Sequence, residues 1–226
     1  MSSALAPILA VYEHTLQPIG ALSWLGAPVS ALDVLGAARL ALVLRQLREG
    51  FHGEYLRGTA DGDSSGRPGK GRTLTERRAR ARDVATTLVM VYGGEAVVAP
   101  WLGIQPSFMI SGAVPATFVG VHALVELIPA VPAMSLYNEV PAALVDAFTR
   151  ALLLCDFIPK VVTRHASPAV SNSPWTLLLT ALITANAGPF FTSAFSLLHP
   201  TPINLTTPPE LLPYGWTATD LWIARW

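Results

Sequence analysis

The chain has 226 residues, of which 51% are hydrophobic and 13% charged, with mean hydropathy +0.44. Soluble domains carry charge on about 25% of residues, so half that share leaves too little polar surface to cover a water-soluble globule of this size. The single cysteine, Cys155, excludes an intrachain disulfide and a cysteine-rich metal site, and a formal net charge of +0 with few aromatics argues against nucleic-acid binding.

Met1 to Val11 is a short apolar stretch without a basic n-region and does not read as a cleaved signal peptide. A bilayer-spanning helix needs about 20 mostly apolar residues, and five segments qualify. The first runs from Pro28 to Leu47 and is interrupted by Asp33, Arg39 and Arg45, with Arg45 and Arg48 placed to snorkel at its end. Gly50 to Arg82 is polar. Its basic part, residues 58–82, reads as a disordered cytoplasmic loop, most clearly over Gly58 to Gly71. The second span is Val84 to Leu102, with Gly93-Gly94 at its midpoint, followed by a turn over Gly103 to Pro106. The third is Phe108 to Ile128, followed by a proline-broken loop from Pro129 to Pro141. The fourth is Ala142 to Ile158, and Pro159 to Ser173 reads as a solvated connection. The fifth is Pro174 to Leu198, with Pro174 in the first helical turn, where its missing N–H is harmless. Residues 199–226 form a tail rich in Pro and Trp. Its tryptophans suit either the membrane surface or packing on the bundle.

Charge is segregated along the chain. Arg67, Lys70, Arg72, Arg77, Arg78, Arg80 and Arg82 crowd one loop, and no Lys or Arg follows from Asp83 to Thr149. Hydrocarbon excludes cations and the cytoplasmic face collects them, so this loop is expected in the cytoplasm and the N-terminus on the far side. Lys160 and Arg164 then fall on the far side, against the trend but outnumbered. The same loop can attract anionic lipid through Arg77, Arg78, Arg80 and Arg82.

Two portions of the chain share a design: a span with embedded charge, a polar loop, then a span with small residues at its middle. The small residues are Tyr92-Gly93-Gly94-Glu95 in the first and Ala185-Asn186-Ala187-Gly188 in the second. Unwound helices at matching positions of a repeat can ligate a cation with freed carbonyls. Glycine pairs in membrane helices also permit close packing, and both readings stand at this point.

In order along the chain come Tyr92-Gly93-Gly94, Trp101 to Pro106, Val121 to Pro129, Val145 to Arg150, and Ser173-Pro174-Trp175 leading to Asn186-Ala187-Gly188. Over Asp33 to Leu198 this succession resembles the trimeric intracellular cation (TRIC) channel family. The resemblance implies an all-α, polytopic transmembrane helix bundle of inverted-repeat type. It implies a homotrimer with a pore in each subunit, conducting monovalent cations, chiefly potassium. The location implied is the endoplasmic reticulum or another intracellular membrane. Two positions depart from that family's pattern: Val145-Asp146 stands where it has Lys-Glu, and Ala187-Gly188 where it has a glycine pair. Its sixth helix would begin near Trp226, so the second repeat is expected to be incomplete.

The expected ion pathway comprises Gly93, Gly94, Glu95, Asp146, Arg150, Asn186, Ala187 and Gly188. Glu95 could attract cations at a kink or sit neutral and buried. Arg150 could line the pore or pair with Asp146 four residues earlier. His122 and Glu126 share a helix face, as a buried hydrogen-bonded pair or as two ligands of a metal, a poor site with only two. No cofactor, metal centre or catalytic residue is expected. A membrane enzyme of lipophilic substrates, using Glu95, Glu126 and Asp146 as acid and base, and a non-conducting structural remnant are the alternatives.

Overall fold

A computed structural model describes residues 2–20, 29–62, 80–132, 135–208 and 211. The described residues are helical, with no strand among them beyond an isolated bridge between Pro18 and Ser30. Helix α1 covers Ser2–Thr15, an element that the sequence reading left as a short apolar stretch. Helix α2 covers Ala31–Gly62 and begins with a capping box: Ser30 Oγ accepts from the Asp33 amide (3.1 Å), and Asp33 accepts from the Ser30 amide (2.8 Å). Asp33, which interrupts the apolar run, therefore serves to start the helix. The helix also runs on through Gly50 into the polar segment despite the glycines there, and Phe51 in this extension stacks on His199. The basic-loop residues 63–79 lie outside the described residues.

Helix α3, Arg80–Leu102, ends where Gly103 takes φ +64°. The Gly103 amide bonds to the Pro100 carbonyl (3.1 Å) and that of Ile104 to Ala99 (3.0 Å), the paired bonds of a Schellman termination. The expected third span is divided. A single turn, α4 (Ser107–Ile110), is followed by extended Ser111, and then α5 covers Ala113–Glu126. Fourteen residues rise only about 21 Å, less than the roughly 30 Å of hydrocarbon, so α5 alone is short for a span.

Helix α6 begins at Leu136, earlier than Ala142, and contains Pro141 in its second turn. It reaches Ala151 and passes through a π-helical stretch, Leu152–Phe157, into α7, Ile158–Thr163. Pro159 has no N–H and its ring crowds the carbonyl one turn back, and the wider π turn absorbs that misfit. The helical path thus continues beyond Ile158, where a solvated connection was expected. After the short turn α8, Pro168–Ser171, helix α9 covers Pro174–Ala194, capped by Ser173 Oγ accepting from the Thr176 amide (3.2 Å). It ends in a second Schellman termination whose left-handed residue is Ser196, φ 50°.

Leu32, Ala37, Ala41 and Leu44 form a buried stripe on α2, which packs on α5 and α6. Helix α3 packs on α9 and α5, and α7 on α9. Helices α3 and α9 are long and apolar enough to cross a membrane.

Candidate functional site

The small residues of the two expected breaks meet at the α3–α9 crossing. Both helices run unbroken through this point, over Arg80–Leu102 and Pro174–Ala194, which corrects the expectation of unwound segments. Gly93, Gly94 and Gly188 are buried there. A Cβ on Gly94 would collide with the main chain of Thr184, and one on Gly188 with the Met90 carbonyl. One on Gly93 would lie 3.2 Å from the Gly188 Cα and 3.3 Å from the Phe191 ring. Glycine is needed here because the backbones themselves are the contact surface. The carbonyls expected to ligate a cation are thus closed in by the facing helix. Ala187 is half-buried beside Gly188. Asn186 turns its amide back on its own helix, donating from Nδ2 to the Leu182 carbonyl at 2.7 Å.

The remaining expected pathway residues are dispersed. Glu95 is half-buried and accepts from the Ser107 amide (2.5 Å) and the Ser107 hydroxyl (2.8 Å), holding the α4 turn against α3. Asp146 accepts from Arg39 Nε at 3.2 Å, and Glu139 holds the same guanidinium at 2.5 Å. No hydrogen bond or ion pair joins Asp146 to Arg150, which is exposed. The helical pair expected from their spacing is replaced by a cross-helix pair, because α2 carries a cation facing α6. Glu95 binds Ser107 of α4, whereas Glu126 and Asp146 bind Arg48 and Arg39, nine residues apart on α2, so the three acids named for the enzyme alternative share no partner.

The arginines of α2 are the feature that the sequence reading undervalued. Arg45 is 8% exposed and donates from Nη1 to the carbonyls of Val125 (2.6 Å) and Ile128 (2.8 Å), capping the end of α5. Its Nε also bonds Glu49 at 2.9 Å. Arg48 joins three helices: Nη2 lies 2.8 Å from both Glu126 oxygens on α5, and Nη1 lies 3.2 Å from Asp83 on α3. Neither arginine snorkels. Arg82, likewise 8% exposed, donates to the carbonyls of Ser196 (2.7 Å) and Thr201 (2.8 Å), fixing the turn after α9. The Ser30-x-x-Asp33 box was readable as a capping motif. Arg45 and Arg48, three apart, lie on one helical face, a pattern that already hinted at a shared inward task.

His122 is buried with Nδ1 3.1 Å from Thr87 Oγ1 and Nε2 4.0 Å from Glu126 Oε1. The hydrogen bond expected between His122 and Glu126 is not made: the His122 ring meets Thr87 of α3, and Glu126 is held by Arg48. No group of three or more His, Cys, Asp or Glu side chains among the described residues could hold a metal ion.

Comparison with protein-family models, curated proteins and solved structures found no match to this chain.

Proposed function

We propose that the chain is a channel-like integral membrane protein for monovalent cations, chiefly potassium, built as a polytopic bundle. The observation that carries the membrane part is its reversed distribution of polarity. Arg45 and Arg82 are buried and bonded inside, while Leu124, Leu127, Leu136, Tyr137, Val140, Trp175 and Leu178 are all more than half exposed. Extended apolar surface of this kind suits lipid contact, and inward-facing, paired cations are the usual arrangement of ionisable groups in membrane spans.

The channel part rests on the resemblance and on equivalent elements meeting each other: α3 with α9, and α2 with α6. Such pairing is compatible with an inverted repeat. In this reading the α3–α9 crossing is the closed barrier, and conduction requires the two helices to part around Gly93, Gly94 and Gly188. Glu95, held by Ser107, is the nearest acid to that crossing in sequence. The homotrimer, the internal membrane and the lipid contact of the basic loop belong to the same reading.

A second reading, a non-conducting structural protein, draws support from the same crossing, because its glycines leave no gap between the helices. Potassium flux into liposomes containing the purified chain separates the two. Flux that changes in Gly93→Ala, a variant expected to stay folded, supports the channel. A well-folded chain that passes no potassium at any applied voltage overturns it in favour of the structural role. Arg150→Ala tests the exposed cation separately: unchanged flux removes it from the pathway.

A further inference from the structure

His165 lies in the connection between α7 and α8 and is half-buried. Its Nδ1 accepts from the Ser167 amide at 3.0 Å, and its Nε2 lies 2.9 Å from the Leu102 carbonyl. An amide N–H only donates and a carbonyl only accepts. The two contacts therefore require the same neutral tautomer, with the proton on Nε2 and the lone pair on Nδ1. Leu102 is the last residue of α3, and its carbonyl is one of those that a helix end leaves without an intrahelical partner. One ring thus finishes α3 and receives the turn that leads on to α8 and α9.

We propose that His165 is a proton-sensitive latch between the end of α3 and the α7–α8 turn. A second proton, taken from water, can bind only at Nδ1, the atom toward which the Ser167 N–H points. Two donors then face each other, and that contact has to open. The bond from Nε2 to Leu102 survives and strengthens, because the ring now carries a positive charge beside the negative end of a helix. In acid the ring stays on α3 and the turn lets go of the ring. Among the described residues no carboxylate bonds this ring, so none takes the place of Ser167 as an acceptor for the new proton. Asp156 of the π-helical stretch holds Lys160 of α7 at 2.6 Å, and Tyr12 of α1 stands near that pair, with Glu13 and His14 exposed beside it. Glu95, two turns before Leu102 on α3, is held by Ser107. Helices α4, α8 and α9 carry no titratable side chain. Arg164 is exposed and makes no ion pair with a described residue. Its charge bears on how readily the ring takes the proton, and not on which contact is lost. The inference does not depend on ion conduction, and a chain that passes no potassium leaves it intact.

The test uses the full chain in detergent micelles. Histidine-selective ¹⁵N NMR between about pH 8 and pH 5, the range in which histidine charge normally changes, follows the ring nitrogens. His165 is assigned by its loss in His165→Asn, or by replacing the other four histidines if that variant fails to fold. Above the transition Nε2 is expected to be protonated and Nδ1 bare, and below it both carry protons. In parallel, hydrogen exchange of the Ser167 amide, corrected for intrinsic rates, is expected to be about tenfold faster once the ring is charged. In His165→Asn that dependence on pH is expected to vanish. A neutral ring with its proton on Nδ1, a ring that stays neutral to pH 5, or one that charges while Ser167 exchange is unchanged overturns the proposal.

Discussion

At the α3–α9 crossing the main chains touch through Gly93, Gly94 and Gly188, whereas α2 meets α5 and α6 with a buried apolar stripe to which arginine side chains add polar bonds. At the point of contact the first seam presents main chain whose helical bonds are already made within each helix. Its strength is close-range dispersion and the absence of side chains, which makes it intolerant of added volume. The second seam adds long side chains that bridge to carbonyls and carboxylates. It tolerates changes of shape but not the loss of charge on one side only. Arg39, Arg45 and Arg48 thus gather on a single helix, while on the α3–α9 side Arg82 secures the turn after α9 and the crossing itself is main chain against main chain.

The contrast can be broken at its tightest point first. Gly188→Leu forces a side chain into the Met90 main chain and is expected to remove the folded protein altogether, a loss of at least about 3 kcal/mol. Size-exclusion profiles and circular dichroism on heating check it. Next in size is Arg48→Met, which leaves Asp83 and Glu126 without this cation. A loss of about 3 kcal/mol is expected, at the lower end for buried pairs because Glu126 is partly exposed. Combining it with Asp83→Asn and Glu126→Gln should recover most of that loss, which sharpens the assignment to uncompensated charge rather than lost volume.

Gly93→Ala measures the packed seam more gently. The new methyl meets the Gly188 Cα at 3.2 Å, while alanine gains about 1 kcal/mol of helix propensity over glycine. Overpacking of about 1–3 kcal/mol outweighs that gain, so the melting temperature should fall by a few degrees and no further. Glu95→Gln keeps an acceptor for Ser107 but removes its charge, and a loss of about 1 kcal/mol in thermal unfolding is expected. Smallest of all is Lys160→Ala, which breaks a surface pair to Asp156 and should change stability by less than about 0.5 kcal/mol.

Legibility followed the range of the forces involved. Helices α3 and α9 were visible because unbroken apolar runs of the right length have few alternatives. Pro174 and Gly103 marked a helix start and a helix end through strictly local rules. Local rules also misled. Gly50 did not end α2, whose Phe51 beyond it stacks on His199, and Pro159 did not end the fourth helix, because a π-helical turn carried it onward. Asp146 and Arg150 had the spacing of a helical pair, yet Arg39 from another helix took the carboxylate. Spacing along one helix says nothing about which charge a neighbouring helix brings.

By itself the sequence determined an all-helical chain, with α3 and α9 apolar and long enough to cross a membrane, the small residues at their centres, and cations excluded from a long central stretch. Hydropathy, proline and glycine act within a few residues, so these properties survive without knowledge of the fold. Only the tertiary structure decided that the central glycines face each other across a shut crossing instead of opening their helices. It alone decided, too, that Arg45 and Arg48 turn inward to carbonyls and carboxylates contributed by residues 83 and 125–128. Those outcomes depend on which helices lie side by side, and a residue's own neighbours in the chain carry no such information.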